Sequence, residues 1–217
     1  YIDRGWVHST GQLPGLEERR ARTNASPRYG SVVTDSLLMT SRDGLTFKRW
    51  DEAILRPGPA RRDSWTYGDN LISWGLLPTK SDLPESPDEL SIYAIEGYWR
   101  GKSQKFRRYS FRVDGFASVR APFAGGELVT RPIVFDGSQL QINYSTSAAG
   151  SVRVEIQDVH GKAMAGYGLA DCFEIFGDEI ERSVTWKAGA SVKHLAGTPL
   201  RLRFVLQDAD LFAFRFR

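Results

Sequence analysis

Apolar and polar residues alternate with period two along much of the last third of the chain. Residues 139–146 read Gln-Leu-Gln-Ile-Asn-Tyr-Ser-Thr, and residues 151–158 read Ser-Val-Arg-Val-Glu-Ile-Gln-Asp. The chain closes on Leu-Arg-Phe-Val-Leu-Gln, then Asp-Ala-Asp, then Leu-Phe-Ala-Phe-Arg-Phe-Arg. A strand turns successive side chains to opposite faces, so this pattern predicts one buried face and one wet face. It predicts strands over 127–134, 139–146, 151–158, 172–176, 180–186, 199–207 and 210–217. Asp136-Gly137 and His160-Gly161 supply hairpin turns between them. Short strands at close spacing predict a β-sandwich over 120–217. Phe212, Phe214 and Phe216 share one side of the last strand, which predicts a central or well-covered position for it.

The pattern before this region is also β, but less regular. Residues 31–40 and 45–50 read as two strands joined by Ser41-Arg42-Asp43-Gly44. Asp-Gly between such runs marks a hairpin, because glycine accepts positive φ without steric cost. In the pattern Ser-x-Asp-Gly-x-Thr-Phe, Asp43 reads as the organiser of the turn backbone. Further strands fall at 71–77, 90–96, 107–113 and 116–119. At about four strands per blade, 29–119 would supply one propeller blade and part of a second. Residues 1–28 are polar and turn-rich, with one helical turn at 17–22, and 190–195 fit a second short helix. Pro122 and the Gly125-Gly126 pair mark the join at about 120. The fold reading is all-β: an irregular segment at 1–28, propeller-like strands over 29–119 and a β-sandwich over 120–217.

Composition narrows the partners. With 217 residues, 41% hydrophobic and 25% charged, the chain suits one large or two small folded domains. No run approaches the roughly 18 apolar residues of a membrane span, so no membrane partner is expected. The net charge is +3, but the arginines sit in small groups among acidic residues. That is not the basic stripe of a nucleic-acid binder, so no nucleic-acid partner is expected. The single cysteine, Cys172, excludes an internal disulfide and reads as a small buried residue. His8, His160 and His194 lie far apart, without metal-ligand spacing or a triad context, so no metal is expected. There is no phosphate-binding loop and no dinucleotide fingerprint, and no cofactor is expected. The chain opens on Tyr1 without an apolar leader; a removed signal and a start inside a longer protein both fit.

What remains is carbohydrate chemistry. Glycosidases use two carboxylates roughly 5–10 Å apart. The candidates are Asp35, Asp63, Asp69 and Glu96. Trp65, Tyr67, Asp69 and Asn70 share one loop, where aromatic faces could cover sugar C–H patches and the carboxylate and amide could bond hydroxyls. The alternative is that the aromatics pack beneath the loop and Asp69 caps a turn. A second group is Glu96, Tyr98 and Trp99, where Glu96 reads as an acid or hydroxyl ligand, or as one half of an ion pair with Arg100 or Arg108. Asp171, Glu174, Asp178, Glu179 and Glu181 read as a solvated face.

Four segments carry a family resemblance: 30–50 with its Ser-Arg-Asp-Gly-Leu-Thr-Phe-Lys-Arg-Trp, 108–119 with Arg-Tyr-Ser-Phe-Arg-Val-Asp-Gly-Phe, 150–158, and 202–216. Together they resemble the C-terminal portion of bacterial glycosyl hydrolases similar to the invertase/levanase and arabinanase-like five-bladed propellers, in which a β-sandwich follows the propeller. The resemblance implies a glycoside hydrolase-like activity, a carbohydrate ligand and a secreted or periplasmic location. The invertase-like members carry an Asn-Asp-Pro-type nucleophile motif, an Arg-Asp-Pro and a Glu-Cys acid; none occurs here, and Asp171-Cys172 is not Glu-Cys. A closed five-bladed propeller needs about 20 strands, more than 1–119 supplies. The resemblance therefore implies catalytic carboxylates mostly outside this chain, and the remainder of a propeller domain as a partner. A non-catalytic carbohydrate-binding module, a structural domain and a polysaccharide lyase on a propeller stay open beside it.

Overall fold

The computed structural model describes residues 5–60, 64–98 and 104–217. Its regular structure is mostly strand, with a single α-helix among the described residues, so the chain is all-β. It divides into two compact units: Tyr1–Lys80 with Glu89–Ser110, and Ser81–Asp88 with Phe111–Arg217.

The first unit opens with more helix than the sequence predicts. Helix α1 spans Leu16–Ala25, ten residues rather than one turn. Gly15 precedes it at φ +69, Glu17 and Glu18 occupy the first turn and Arg22 the last, which suits the helix dipole. The helix carries no apolar stripe; its buried residue is Arg19. The Arg19 guanidinium donates to the carbonyls of Pro14 (3.0 Å), Gly30 (3.4 Å) and Ser64 (2.9 Å). One buried cation thus ties the helix to a preceding turn, a following turn and a distant loop. Gly30 is required there, since a Cβ would lie 2.7 Å from the Arg19 carbonyl oxygen.

Strands β1 (Ser36–Ser41) and β2 (Phe47–Leu55) form an antiparallel ribbon whose register shifts twice. Its turn is built by Asp43, as its sequence pattern predicts. Asp43 Oδ1 accepts from the amides of Leu45 (2.9 Å) and Thr46 (2.7 Å) and from the Ser41 hydroxyl (2.8 Å). These bonds hold the carboxyl well below the usual aspartate range, led by the Thr46 amide. Strands β3 (Leu77–Thr79), β4 (Glu89–Glu96) and β5 (Lys105–Arg112) make a second, three-stranded sheet in that order. The two sheets thus carry two and three strands.

The second unit is one five-stranded sheet curled into a half-barrel. It contains β6 (Val119–Ala121), β7 (Gly126–Val129), β8 (Leu140–Gln157), β9 (Asp178–Ser183) and β10 (Arg201–Phe216). Pairs of strands predicted separately are continuous here: 139–146 and 151–158 merge into β8, and 199–207 and 210–217 into β10. The two run antiparallel from Arg201↔Gln157 to Phe216↔Leu140. β10 is central, with β8 along one edge and β6 and β7 sharing the other.

The strands stay continuous because the register slips where the chain bends. On β10, Leu202, Phe204 and Leu206 face the core, and after a shift between Gln207 and Ala209 the inward residues become Ala209 and Leu211. A second shift between Leu211 and Ala213 brings Phe214 and Phe216 inward. Phe212 falls at that second shift and lies beneath the Arg112 guanidinium, 4.8 Å from its ring centroid. The three phenylalanines therefore do not share one side. Gly150 faces the first bulge, where a Cβ would meet the Asp208 carbonyl oxygen at 2.4 Å.

The inner face of β8 supplies Leu140, Ile142, Tyr144, Val152, Val154 and Ile156, all fully buried. Tyr167, Cys172, Ile175, Val184, Trp186, Val192 and Leu195 join them. Trp186 donates to the Val154 carbonyl (2.9 Å) and meets Tyr167 edge-on. Cys172 Sγ accepts from the Val154 amide and donates to the Phe173 carbonyl, each at 3.3 Å. Burial pushes this thiol's pKa up, so it is a core residue, as its isolation in the sequence predicts. The other face of β8 is polar but also covered. Asn143 donates to the Val113 carbonyl (2.7 Å) and accepts from Arg112, whose guanidinium also reaches Asp178 and the Tyr144 (2.9 Å) and Glu179 (2.8 Å) carbonyls. Arg112 pins 111–119 into this unit, although the sequence pattern groups that stretch with the strands before it.

Phe204 has no exposed surface, whereas Phe173 is 56% exposed. Phe204→Ala is expected to lower unfolding free energy by about 3–5 kcal/mol. Phe173→Ala should change it by less than about 0.5 kcal/mol. Urea unfolding followed by tryptophan fluorescence measures both.

Candidate functional site

The predicted site residues fall in the first unit, and most are drawn into its interior. Thr66, Asp69 and Asn70 are 1%, 5% and 4% exposed. Asp69 Oδ2 accepts from the Thr66 hydroxyl (2.8 Å), and Oδ1 from the Tyr98 amide (2.9 Å). Asn70 lies at φ +62, a conformation asparagine tolerates better than most residues. Its side-chain amide donates to the Thr34 carbonyl (3.0 Å), its backbone amide donates to the Ile95 carbonyl (2.8 Å), and its own carbonyl accepts from Ser36. The Gly68 amide donates to the Thr34 hydroxyl (3.0 Å). Gly68 lies beneath the Tyr98 ring, where a Cβ would approach within 2.2 Å. Tyr67 sits between Tyr29 (centroids 5.1 Å apart) and Tyr98 (6.0 Å, edge-on). Asp69, Asn70, Tyr67 and Tyr98 thus form one internal cluster that fastens 66–70 to β1 and the end of β4.

Glu96, at the end of β4, faces β5. Its Oε1 accepts from Arg107 Nε (2.6 Å) and the Tyr109 hydroxyl (3.0 Å), and Lys105 lies 3.9 Å from Oε2. Its described ionic partners are therefore Arg107 and Lys105. Arg108 pairs instead with Glu89. Arg100, with Trp99 and Asp63, lies outside the described residues. The two carboxyls titrate in opposite directions. Burial raises the pKa of Asp69 against its hydrogen bonds, with a smaller push from the Glu96 charge. The Arg107 hydrogen bond leads the forces that lower that of Glu96.

Trp65 is the exception to this inward turn. It is half-buried at φ +61, where a bulky residue is seldom found, and its indole N–H donates to the Gly58 carbonyl (2.7 Å). The indole lines a cleft of about 640 Å³ with Val7, Thr10, Asp35, Arg56 and Pro57 among its other walls. Arg56 is held by Glu52. Asp35 is half-buried, and no hydrogen bond or ion pair engages its carboxylate among the described residues. Thr10 is 4% exposed and its hydroxyl accepts from the Val7 amide (3.2 Å), which leaves its proton to donate.

Of the predicted groups, the structure therefore brings Trp65 and Asp35 to one cleft and places Tyr67, Asp69, Asn70, Glu96 and Tyr98 elsewhere. Arg56 and the wall from Val7 to Leu13 carried no signal of their own. Arg56-Pro57-Gly58-Pro59 has loop composition, which carries no mark that the Gly58 carbonyl fixes the indole. Among the described residues, no group of histidine, cysteine, aspartate and glutamate side chains is arranged to hold a metal ion. No helix there is long and apolar enough to cross a membrane.

No family model, no curated protein and no solved structure matches the chain.

Ionising Asp69 costs more in the folded chain than in the unfolded one. Its contribution to stability is full below the ordinary aspartate range and is lost as pH rises through its raised folded value. Asp69→Asn keeps an acceptor for the Tyr98 amide and removes the ionisation. Stability measured by urea unfolding is expected to fall less steeply with rising pH over that window in the variant. An unchanged pH profile would contradict the assignment.

Proposed function

We propose that this is a carbohydrate-active protein of glycoside hydrolase-like architecture, whose sugar-contacting surface is the cleft lined by Trp65, Asp35 and Arg56. In this reading the first unit is propeller-type and the second a sandwich-type module packed beside a larger enzyme. The cleft is the observation that carries it. Its volume lies within the range of small-molecule sites, and it joins a fixed aromatic face to a carboxylate without a described partner and a buried hydroxyl. Sugars present C–H patches that pack on an indole and hydroxyls that bond a carboxylate. A strained φ at the aromatic residue supports the same reading, since such strain gathers at binding sites. No hydrolytic step is assigned to Asp69 or Glu96: the first has both oxygens engaged inside the unit, and the second is neutralised by Arg107.

A second reading, a structural module that covers a partner, draws on one observation. Leu71, Ile72, Trp74, Leu76 and Leu77 are all exposed, Trp74 completely. Exposed apolar patches of this kind mark interaction surfaces.

Calorimetric titration against a glycan panel separates the readings. The parent chain is expected to bind at least one oligosaccharide, and Trp65→Ala to bind it at least about tenfold more weakly, a loss of about 1.4 kcal/mol. No binding across the panel, or binding indifferent to Trp65→Ala, would remove the cleft as the sugar site.

A further inference from the structure

We propose that Asp35 makes the Trp65 cleft select uncharged sugars that present a vicinal diol, and reject uronate sugars. This inference rests on the carbohydrate reading of the cleft and deepens it.

Among the described lining residues, the ionisable ones are Asp35 and Arg56. Arg56 is already paired with Glu52, four residues earlier in the chain. Asp35 has no such partner among the described residues. Among the described residues, the wall therefore presents one negative charge without a partner, that of Asp35. An ionised carboxylate is an acceptor with two oxygens and no proton to give. Two neighbouring sugar hydroxyls offer two donors at matching separation, and each bond to an ionised acceptor is stronger than a neutral one. A uronate brings its own carboxylate into the same half-buried space. Like charges there repel more than they do in open water, because the local dielectric is lower. The Thr10 hydroxyl can donate one bond but cannot neutralise an anion. Trp65 is indifferent to the difference, because a neutral sugar and its uronate share the same C–H face. Affinity for the ring then belongs to Trp65 and discrimination by charge to Asp35.

The test uses the full chain, matched tetrasaccharides of glucose, mannose and galactose, and their uronate counterparts. Titration calorimetry is run on the parent, Asp35→Asn, Asp35→Glu and Trp65→Ala, with circular dichroism to verify folding. The parent is expected to bind its best neutral tetrasaccharide at least about tenfold more tightly than the corresponding uronate. Asp35→Asn should weaken neutral binding and shrink that ratio to below about threefold. Asp35→Glu keeps the charge and should keep the ratio, even if altered packing lowers affinity overall. Parent binding of a uronate as tight as that of its neutral partner overturns the inference while leaving the sugar reading intact. So does a ratio that survives Asp35→Asn. Failure of all six ligands to bind, or binding unaffected by Trp65→Ala, instead removes the sugar reading itself and the inference with it.

Discussion

A strand with one buried face must keep that face turned inward along its whole length, and the pairing of β8 with β10 is how the second unit meets this constraint. Both strands are too long to remain flat, so the sheet curls, and curling would carry inward residues out of phase. Two register slips on β10 restore the phase. Leu206 hands over to Ala209, and Leu211 to Phe214, without a break in the ladder. Gly150 is the residue that lets the backbones close at the first slip. The core inside the curl, with Tyr144, Trp186 and Phe204 as its largest members, depends on these corrections.

The first unit is held differently. Its centre is polar: a buried guanidinium at Arg19, a buried carboxyl at Asp69 and a buried amide at Asn70, each bonded to backbone groups of other segments. Such contacts fix position through direction rather than bulk, and each loses much of its value when a single partner moves. They bring loops of weak pattern into defined places. They also engage the polar groups of Asp69 and Asn70 inside the unit, which leaves Trp65 as the described residue of that loop that lines the cleft.

These two ways of holding a chain together decide what the sequence reveals. The strands of the second unit were legible because their alternation reports a buried face directly. The continuity of β8 and β10 was not, because Asp208-Ala209-Asp210 has turn-like composition while serving as a bulge within one strand. Asp43 was legible because its turn is local. Helix α1 was not, since the residue it buries is an arginine whose partners reach as far along the chain as Ser64, and a hydrophobic pattern carries no mark of that. Asp69 and Asn70 carry the residue types of a sugar site. Only the geometry tells that their oxygens and amide are engaged within the unit.

Cys172 gives the second unit a native reporter. Its sulfur is the only thiol in the chain, lies between the Val154 amide and the Phe173 carbonyl, and is deprotonated with more difficulty than a free thiol. A reagent that needs the thiolate meets it only when this part of the core parts from β8. The rate of its modification therefore counts those excursions, and turns a residue with no chemical task into a clock for the breathing of the half-barrel.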